Sequence, residues 1–154
     1  MSLHARLSAI SFHLPDLDES FPKLLCQVEE LQLSVLNHDE GPPVEKAFQE
    51  TGLLALQIFR REEEAMELCR DKGVTAHKAA HRKFLSNLTK AQTSFQAKGP
   101  SVALAQDLRT ELVDWMADHH RLMNAGMGKV VRDMVERSIR HHQESSTNAG
   151  SSPS

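Results

Sequence analysis

The chain has 154 residues, of which 40% are hydrophobic and 25% charged, a composition typical of one soluble domain with its own core. Its net charge of −3, with His counted as neutral, provides no electrostatic basis for binding nucleic acid or an anionic membrane surface. The two cysteines form no disulfide framework, and the apolar runs are shorter than a membrane span or a signal peptide requires, so we expect a cytoplasmic protein.

Residues 1–13 are interpreted as an N-terminal arm that precedes the first of four long amphipathic helices. We expect Asp18 to cap this first helix, and Pro22 is tolerated in a first turn. The segment HDEGPP ends the helical pattern. The apolar stripe comprises Phe21, Leu24, Leu25, Val28, Leu31 and Val35.

Three further helical stripes follow, and the chain contains no convincing strand alternation. The second helix begins at Pro42-Pro43 and ends before Gly73, and Gly99-Pro100 separates the third from the fourth. The second stripe comprises Val44, Phe48, Thr51, Ala55, Ile58, Glu62, Ala65 and Cys69. The third comprises Val74, His77, His81, Phe84, Leu88, Ala91 and Phe95, and the fourth Ala105, Leu108, Leu112, Trp115, His119 and Leu122.

Short connections between long helices favour antiparallel neighbours. The sequence therefore predicts an all-α protein with an up-down-up-down four-helix bundle over residues 14–127. Residues 128–140 read as a short amphipathic helical extension that packs on the bundle end, on a protein partner or on a second copy of the chain. The polar segment 141–154 is predicted to be a disordered tail.

Four polar residues interrupt the apolar stripes, namely Glu62, His77, His81 and His119. Burial of each unpaired neutral group costs about 1–3 kcal/mol, and burial of a charge costs more. His77 and His81 are four residues apart, so both rings lie on one helix face, as binding of a single metal ion requires. A bound metal ion would pair all four side chains. The alternative is that the imidazoles lie at stripe edges and that Glu62 pairs with an Arg or an imidazolium.

Three segments resemble motifs of the hemerythrin family. They are FRREEEAM at residues 59–66, HKAAH at 77–81 and WMADH at 115–119. Bacterial hemerythrins carry HFxxEExxM, HxxxH, and WxxxH followed by an Asp five residues later. The 15-residue step from Glu62 to His77 (77 − 62) is also that of the family. The resemblance implies a four-helix bundle in which five His and two bridging carboxylates hold two non-haem irons that bind dioxygen reversibly.

The chain departs from the family pattern at three ligand positions. Phe21 stands at the place of the first-helix His, Ile58 at that of the His in HFxxEE, and Asn124 at that of the Asp. In the family, the three retained His serve one iron and the two missing His serve the other. The resemblance thus implies one retained half-site, with a single ion held by Glu62, His77, His81 and His119.

The resemblance also indicates a ligand pocket beside the ion, formed by Trp115, His120, Asn124 and Leu24. His120 follows His119 directly, about 100° further round the helix, so it is either a proton donor to a bound ligand or, as we favour, a surface residue. The neighbouring charges, including Glu63 and Glu64, are expected on a solvated face.

The expected function is that of a non-enzymatic, hemerythrin-like protein that binds one divalent metal, with iron favoured and zinc the alternative. Such a protein suits the sensing of oxygen, nitric oxide or redox state, with residues 128–140 as the output surface. Two other functions remain open from the sequence. One is a di-iron oxygen carrier or store in which other residues replace the missing ligands. The other is a metal-free helical interaction module. An enzyme ranks last, because no catalytic acid, base or substrate pocket can be named.

Overall fold

The computed structural model describes residues 2–150 as an all-helical chain, without any strand in that range. Two π-helical segments, Arg109–Asp114 and His120–Asn124, follow the fifth and sixth of the α-helices. The α-helices are α1 (Leu3–Ser8), α2 (Pro15–Leu36), α3 (Pro42–Leu68), α4 (Val74–Lys98), α5 (Val102–Leu108), α6 (Trp115–His119) and α7 (Ala125–Ala149).

The segments from α5 to α7 follow one another without a break, so residues 102–149 form one long C-terminal helix. Helix α2 packs against α3 and α5, and α4 packs against the same two helices. Their inward faces share one core, to which nearly all residues of the predicted stripes contribute. None of the helices within residues 2–150 combines the length and the apolar character needed to cross a membrane.

The π-helical segment His120–Asn124 changes which side of the C-terminal helix faces the core. A π turn contains more residues than an α turn and therefore shifts the register of all later positions. Leu122, predicted on the buried stripe, is 77% exposed, whereas His120 and Asn124 are buried. The prediction for Leu122 is wrong because it assumed regular α-helical spacing through this turn.

The N-terminal arm is part of the core, with Leu7 and Phe12 both buried. Asp18 accepts hydrogen bonds from the Phe12 backbone N–H (2.8 Å) and from the Ser11 hydroxyl (2.9 Å). Its carboxylate therefore anchors the arm and does not cap α2, which begins three residues earlier at Pro15. Our expectation that Asp18 caps this helix is wrong, because Pro15 already supplies a favourable helix start.

The C-terminal segment differs from the prediction of an extension followed by a disordered tail. Helix α7 includes residues 128–140 and continues past His141 to Ala149, while residues 151–154 lie outside the described part of the chain. No Gly or Pro interrupts the sequence between Gly128 and Gly150. The hydroxyls of Ser145 and Ser146 also donate to carbonyls four residues earlier, so polarity alone did not prevent a helix.

The contact of the arm with α7 can be tested at Gly128, where an added Cβ would lie 2.1 Å from the Ser11 carbonyl oxygen. We expect Gly128→Ala to lower the free energy of unfolding by about 1–3 kcal/mol, because the arm must move. Gly126→Ala is the matched control, since an added Cβ there meets nothing within 4 Å. It should be neutral or stabilise by up to about 1 kcal/mol through helix propensity. Urea unfolding followed by circular dichroism measures both, and equal effects would contradict the close packing of the arm.

Candidate metal centre

The structure brings Glu62, His77, His81 and His119 together in the core. Glu62 comes from α3, the two His of the HxxxH motif from α4, and His119 from the end of α6. All four side chains are buried, and each offers one ligand atom within 4.8 Å of the others. This group could hold a metal ion. Because His77 and His81 are one helical turn apart, α4 presents both imidazoles to the same point.

The polar atoms of this cluster lie close together but do not satisfy one another. Nε2 of His81 is 2.7 Å from Oε2 of Glu62, and Nε2 of His77 is 3.7 Å from the same oxygen. The first pair is not aligned as a hydrogen bond and the second is too long for one, so these atoms have no hydrogen-bond partner in the described chain. Both ring nitrogens of His119 and the second oxygen of Glu62 are in the same situation. Unsatisfied buried groups of this kind are rare, and a metal ion could pair all of them.

The protonation states within the cluster suit metal binding. Burial alone would raise the pKa of Glu62, but the adjacent His77 and His81 outweigh it and hold that pKa below its ordinary value. Burial lowers the pKa of His119 to about 3. At neutral pH the cluster therefore contains a carboxylate and a neutral His119 imidazole, the forms that bind a divalent cation.

Glu63 orients His81 from outside the cluster. Its Oε1 lies 2.8 Å from Nδ1 of His81. Because a carboxylate accepts, Nδ1 donates the proton, and a neutral ring then has its lone pair on Nε2, the atom that faces Glu62. Metal-binding His residues are commonly oriented in this way by a second carboxylate. The sequence alone does not reveal this contact of Glu63, since nothing in the acidic run 62–64 distinguishes it from its exposed neighbour Glu64.

Two aromatic rings restrict the planes of two of the three imidazoles. Phe59 stacks on His81 with ring centroids 4.0 Å apart and an interplanar angle of 4°. Trp115 stacks on His119 at 4.5 Å and 11°. Trp115 was predicted beside the site, whereas Phe59 entered the sequence analysis only as part of a motif. Stacking restricts rotation of His81 and His119, so the ligand atoms of these two rings keep their direction toward the cluster.

His120 is buried, and the expectation that it lies on the surface is wrong. His120 lies four residues after the buried Met116 and four before the buried Asn124, so it continues their inward face. Nε2 of His120 donates to the Leu7 carbonyl (3.2 Å), and Nδ1 accepts from Nδ2 of Asn124 (3.0 Å). The ring stacks on Phe21 at 3.9 Å, and burial lowers its pKa. Both nitrogens are thus engaged, and His120 links the C-terminal helix to the N-terminal arm.

The three positions at which the chain departs from the hemerythrin ligand pattern are buried. Phe21 and Ile58 are apolar, and Phe21 covers the His120 ring. Asn124 is wholly buried, and its Oδ1 has no hydrogen-bond partner among the described residues. Leu24, predicted beside the pocket, is also wholly buried. Within residues 2–150, the cluster around Glu62 is the one group of His, Cys, Asp and Glu side chains with the spacing of a metal site.

Comparison with known proteins assigns no family to this chain: no family model, curated protein or solved structure matches it. The likeness of three motifs to hemerythrins stays a prediction from the sequence. What the cluster could bind therefore follows only from its own geometry.

The low pKa of His119 predicts how the metal-free protein responds to acid. Below about pH 6.5 the unfolded chain binds a proton at this residue, while the folded protein does not until about pH 3. Stability is therefore lost as the pH falls through this window, by about 1.4 kcal/mol per pH unit. Glu62, with its lowered pKa, acts in the same direction at lower pH. Urea unfolding in the presence of a chelator measures the free energy of unfolding between pH 7 and pH 5. We expect this free energy to fall less steeply with decreasing pH in His119→Gln than in the wild type. Equal slopes would refute the low pKa of His119.

Removal of the Glu63 carboxylate should weaken metal binding without removal of a ligand. We expect Glu63→Ala to raise the dissociation constant about 10–100-fold, because His81 loses the group that orients it. Glu64→Ala is the adjacent control, since Glu64 is exposed, and it should leave the constant unchanged. Competition with a chromophoric chelator measures both variants. Equal affinities for the two would show that Glu63 does not position His81.

Proposed function

We propose that this protein binds one divalent metal ion through Glu62, His77, His81 and His119. The single observation that carries the proposal is the set of buried ligand atoms without hydrogen-bond partners on all four side chains. A cluster of this kind destabilises a metal-free core, since each unsatisfied group costs about 1–3 kcal/mol. Coordination reverses this cost, because the same atoms become ligands.

The fold proposed for this function is an up-down-up-down four-helix bundle of the hemerythrin kind. Helices α2, α3 and α4 and the C-terminal helix each contact at least two of the others, and the connections between them span only residues 37–41, 69–73 and 99–101. Short connections favour antiparallel neighbours. Bundles of this kind commonly hold metals in the core with side chains from facing helices, as the four candidate ligands would do.

A single ion fits the side chains better than a pair of irons. Phe21 and Ile58, at two of the family's ligand positions, supply only hydrocarbon, and the ring that stacks on Phe21 is a hydrogen-bonded imidazole. Asn124 is neutral and uses its amide nitrogen on His120. A neutral amide bridges two cations poorly. We therefore propose a mononuclear protein and not a di-iron oxygen carrier.

We favour iron, with zinc as the alternative, and a role in sensing oxygen, nitric oxide or redox state. Three imidazoles and one carboxylate suit either ion. An octahedral iron with four protein ligands retains open positions and supplies redox chemistry, whereas tetrahedral zinc would be closed and structural. Around such an ion, Glu63 orients one imidazole, and Phe59 and Trp115 hold two ring planes.

Metal content per chain, measured by elemental mass spectrometry on untagged protein, tests the proposal. We expect about one ion in the wild type and less than about a tenth of that in His77→Ala/His81→Ala. Metal at 100 times its dissociation constant should stabilise the wild type by about 2.7 kcal/mol and leave this variant unchanged. The control is His141→Ala/His142→Ala, which removes two exposed imidazoles. Two irons per chain would contradict the mononuclear site and favour a di-iron oxygen carrier. No bound metal after anaerobic reconstitution would favour a metal-free interaction module.

Fluorescence provides an independent test of where the metal binds. Trp115 is the one tryptophan of the sequence, and the chain has no tyrosine. The Trp115 indole stacks on His119. We expect a titration with Fe(II) or Zn(II) to change Trp115 emission up to one ion per chain, because coordination changes the electronic character of the stacked imidazole. His119→Ala should abolish this response. A full response in that variant would place the ion elsewhere.

A further inference from the structure

The three imidazoles of the cluster are not held equally by the rest of the protein. Nδ1 of His81 donates to Glu63 (2.8 Å), and Phe59 stacks on the same ring at 4.0 Å. Trp115 stacks on His119 at 4.5 Å. Each of these two imidazoles therefore has a partner outside the cluster that restricts its rotation.

His77 differs from the other two imidazoles in this respect. Neither of its ring nitrogens has a hydrogen bond within residues 2–150. Its ring contacts are edge-on, with His81 and with His119, each at a centroid distance of 4.6 Å. Its Nε2 lies 3.7 Å from Oε2 of Glu62, whereas Nε2 of His81 lies 2.7 Å from that oxygen. In the described part of the chain, His77 is thus the imidazole without an orienting partner outside the cluster.

The backbone that carries His77 is also a helix end. His77 lies in the first turn of α4, and the N-cap residue Gly73 makes no side-chain hydrogen bond to the first N–H groups. Helix ends fray more readily than helix interiors. The ion pair of Lys78 with Glu67 links this turn to α3, but both side chains are partly exposed, so it adds little stability. His81 lies one turn further inside the helix.

We propose that His77 is the exchangeable ligand of the metal ion, and that a small lone-pair donor takes its coordination position while Glu62, His81 and His119 stay bound. The inference rests on the metal site proposed above. The exchange breaks the bond from Nε2 of His77 and forms one from the donor, so no electron is transferred. Two imidazoles and one carboxylate are a set that binds Fe(II) with open positions.

Burial of the cluster limits the donor to two or three atoms. Glu62 is 0% exposed and His77 2% exposed. A diatomic gas or a compact anion such as azide needs less room than the imidazole that it displaces, so the core can admit it without a large cavity. Release of His77 also removes a bond that holds the first turn of α4. The exchange thereby gives a sensor a conformational response.

Loss of each imidazole in turn tests whether His77 contributes least to metal binding. Competition with a chromophoric chelator measures the Zn(II) dissociation constants. We expect a rise of no more than about 100-fold for His77→Ala, the size of effect that loss of an orienting residue has. His81→Ala and His119→Ala should each raise the constant more than about 1,000-fold. Leu at position 77 or 81 keeps more of the buried volume and should give the same order, and circular dichroism shows whether each variant is folded.

Azide binding to the Co(II)-loaded protein, followed by visible absorption, tests the exchange itself. At saturating azide, the wild type and His77→Ala should have the same spectrum, because His77 is absent from the coordination sphere in both. Azide should bind the wild type at least about tenfold more weakly, since His77 competes for the position. Thr75→Ala, an exposed position in the same turn, is the matched control and should behave as the wild type.

The proposal is overturned if loss of His77 weakens Zn(II) binding as much as loss of His81 does. It is equally overturned if the two azide-saturated spectra differ, because azide then occupies a position that His77 does not. Both results leave the metal site itself in place, since the wild type still binds one ion. A wild type that binds neither Zn(II) nor Co(II) is a separate result, which overturns the metal site together with this inference.

Discussion

The buried carboxylate of Glu62 among three imidazoles is the interaction on which the centre of the molecule depends. A carboxylate in an apolar core is costly unless positive charge or hydrogen bonds compensate it. Here the nearest groups are imidazoles whose nitrogens are not aligned to donate to it. The arrangement is therefore poor as a hydrogen-bond network and good as a ligand set. Helix packing keeps these groups together, because α3, α4 and the C-terminal helix all contribute to the same core.

The surroundings of the cluster restrict how its side chains can relax. Phe59 stacks on His81 and Trp115 stacks on His119, and Glu63 accepts a hydrogen bond from His81. Next to His119, the buried His120 ring donates to the Leu7 carbonyl of the N-terminal arm. The arm therefore contacts the C-terminal helix at His120 and packs against the same helix again at Gly128. Such contacts around the candidate ligands favour a fixed geometry of the cluster.

Much of the core could be predicted because it depends on local periodicity. Residues at a spacing of three and four lie on one helix face, and that face is buried whenever helices pack. The prediction failed for Leu122, where the π turn changes the spacing, and for the nearby His120, which is buried and was expected on the surface. It also failed for the arm, because the burial of Phe12 depends on contacts with Asp18 and α7 that no local pattern encodes. The helix that continues to Ala149 was missed because polarity was taken as a sign of disorder.

The sequence by itself determined the helical segments, their apolar faces and the four polar residues on those faces, since these depend on the order of residues along one helix. Only the tertiary structure decided that Glu62, His77, His81 and His119 meet within 4.8 Å, because three separate helices must pack at one level for this to happen. It also decided the roles of Glu63 and Phe59, which lie beside the stripe and acquire a function only through contact with His81. Spacing along a helix fixes the direction of a side chain, whereas its neighbours depend on how the helices are placed against each other.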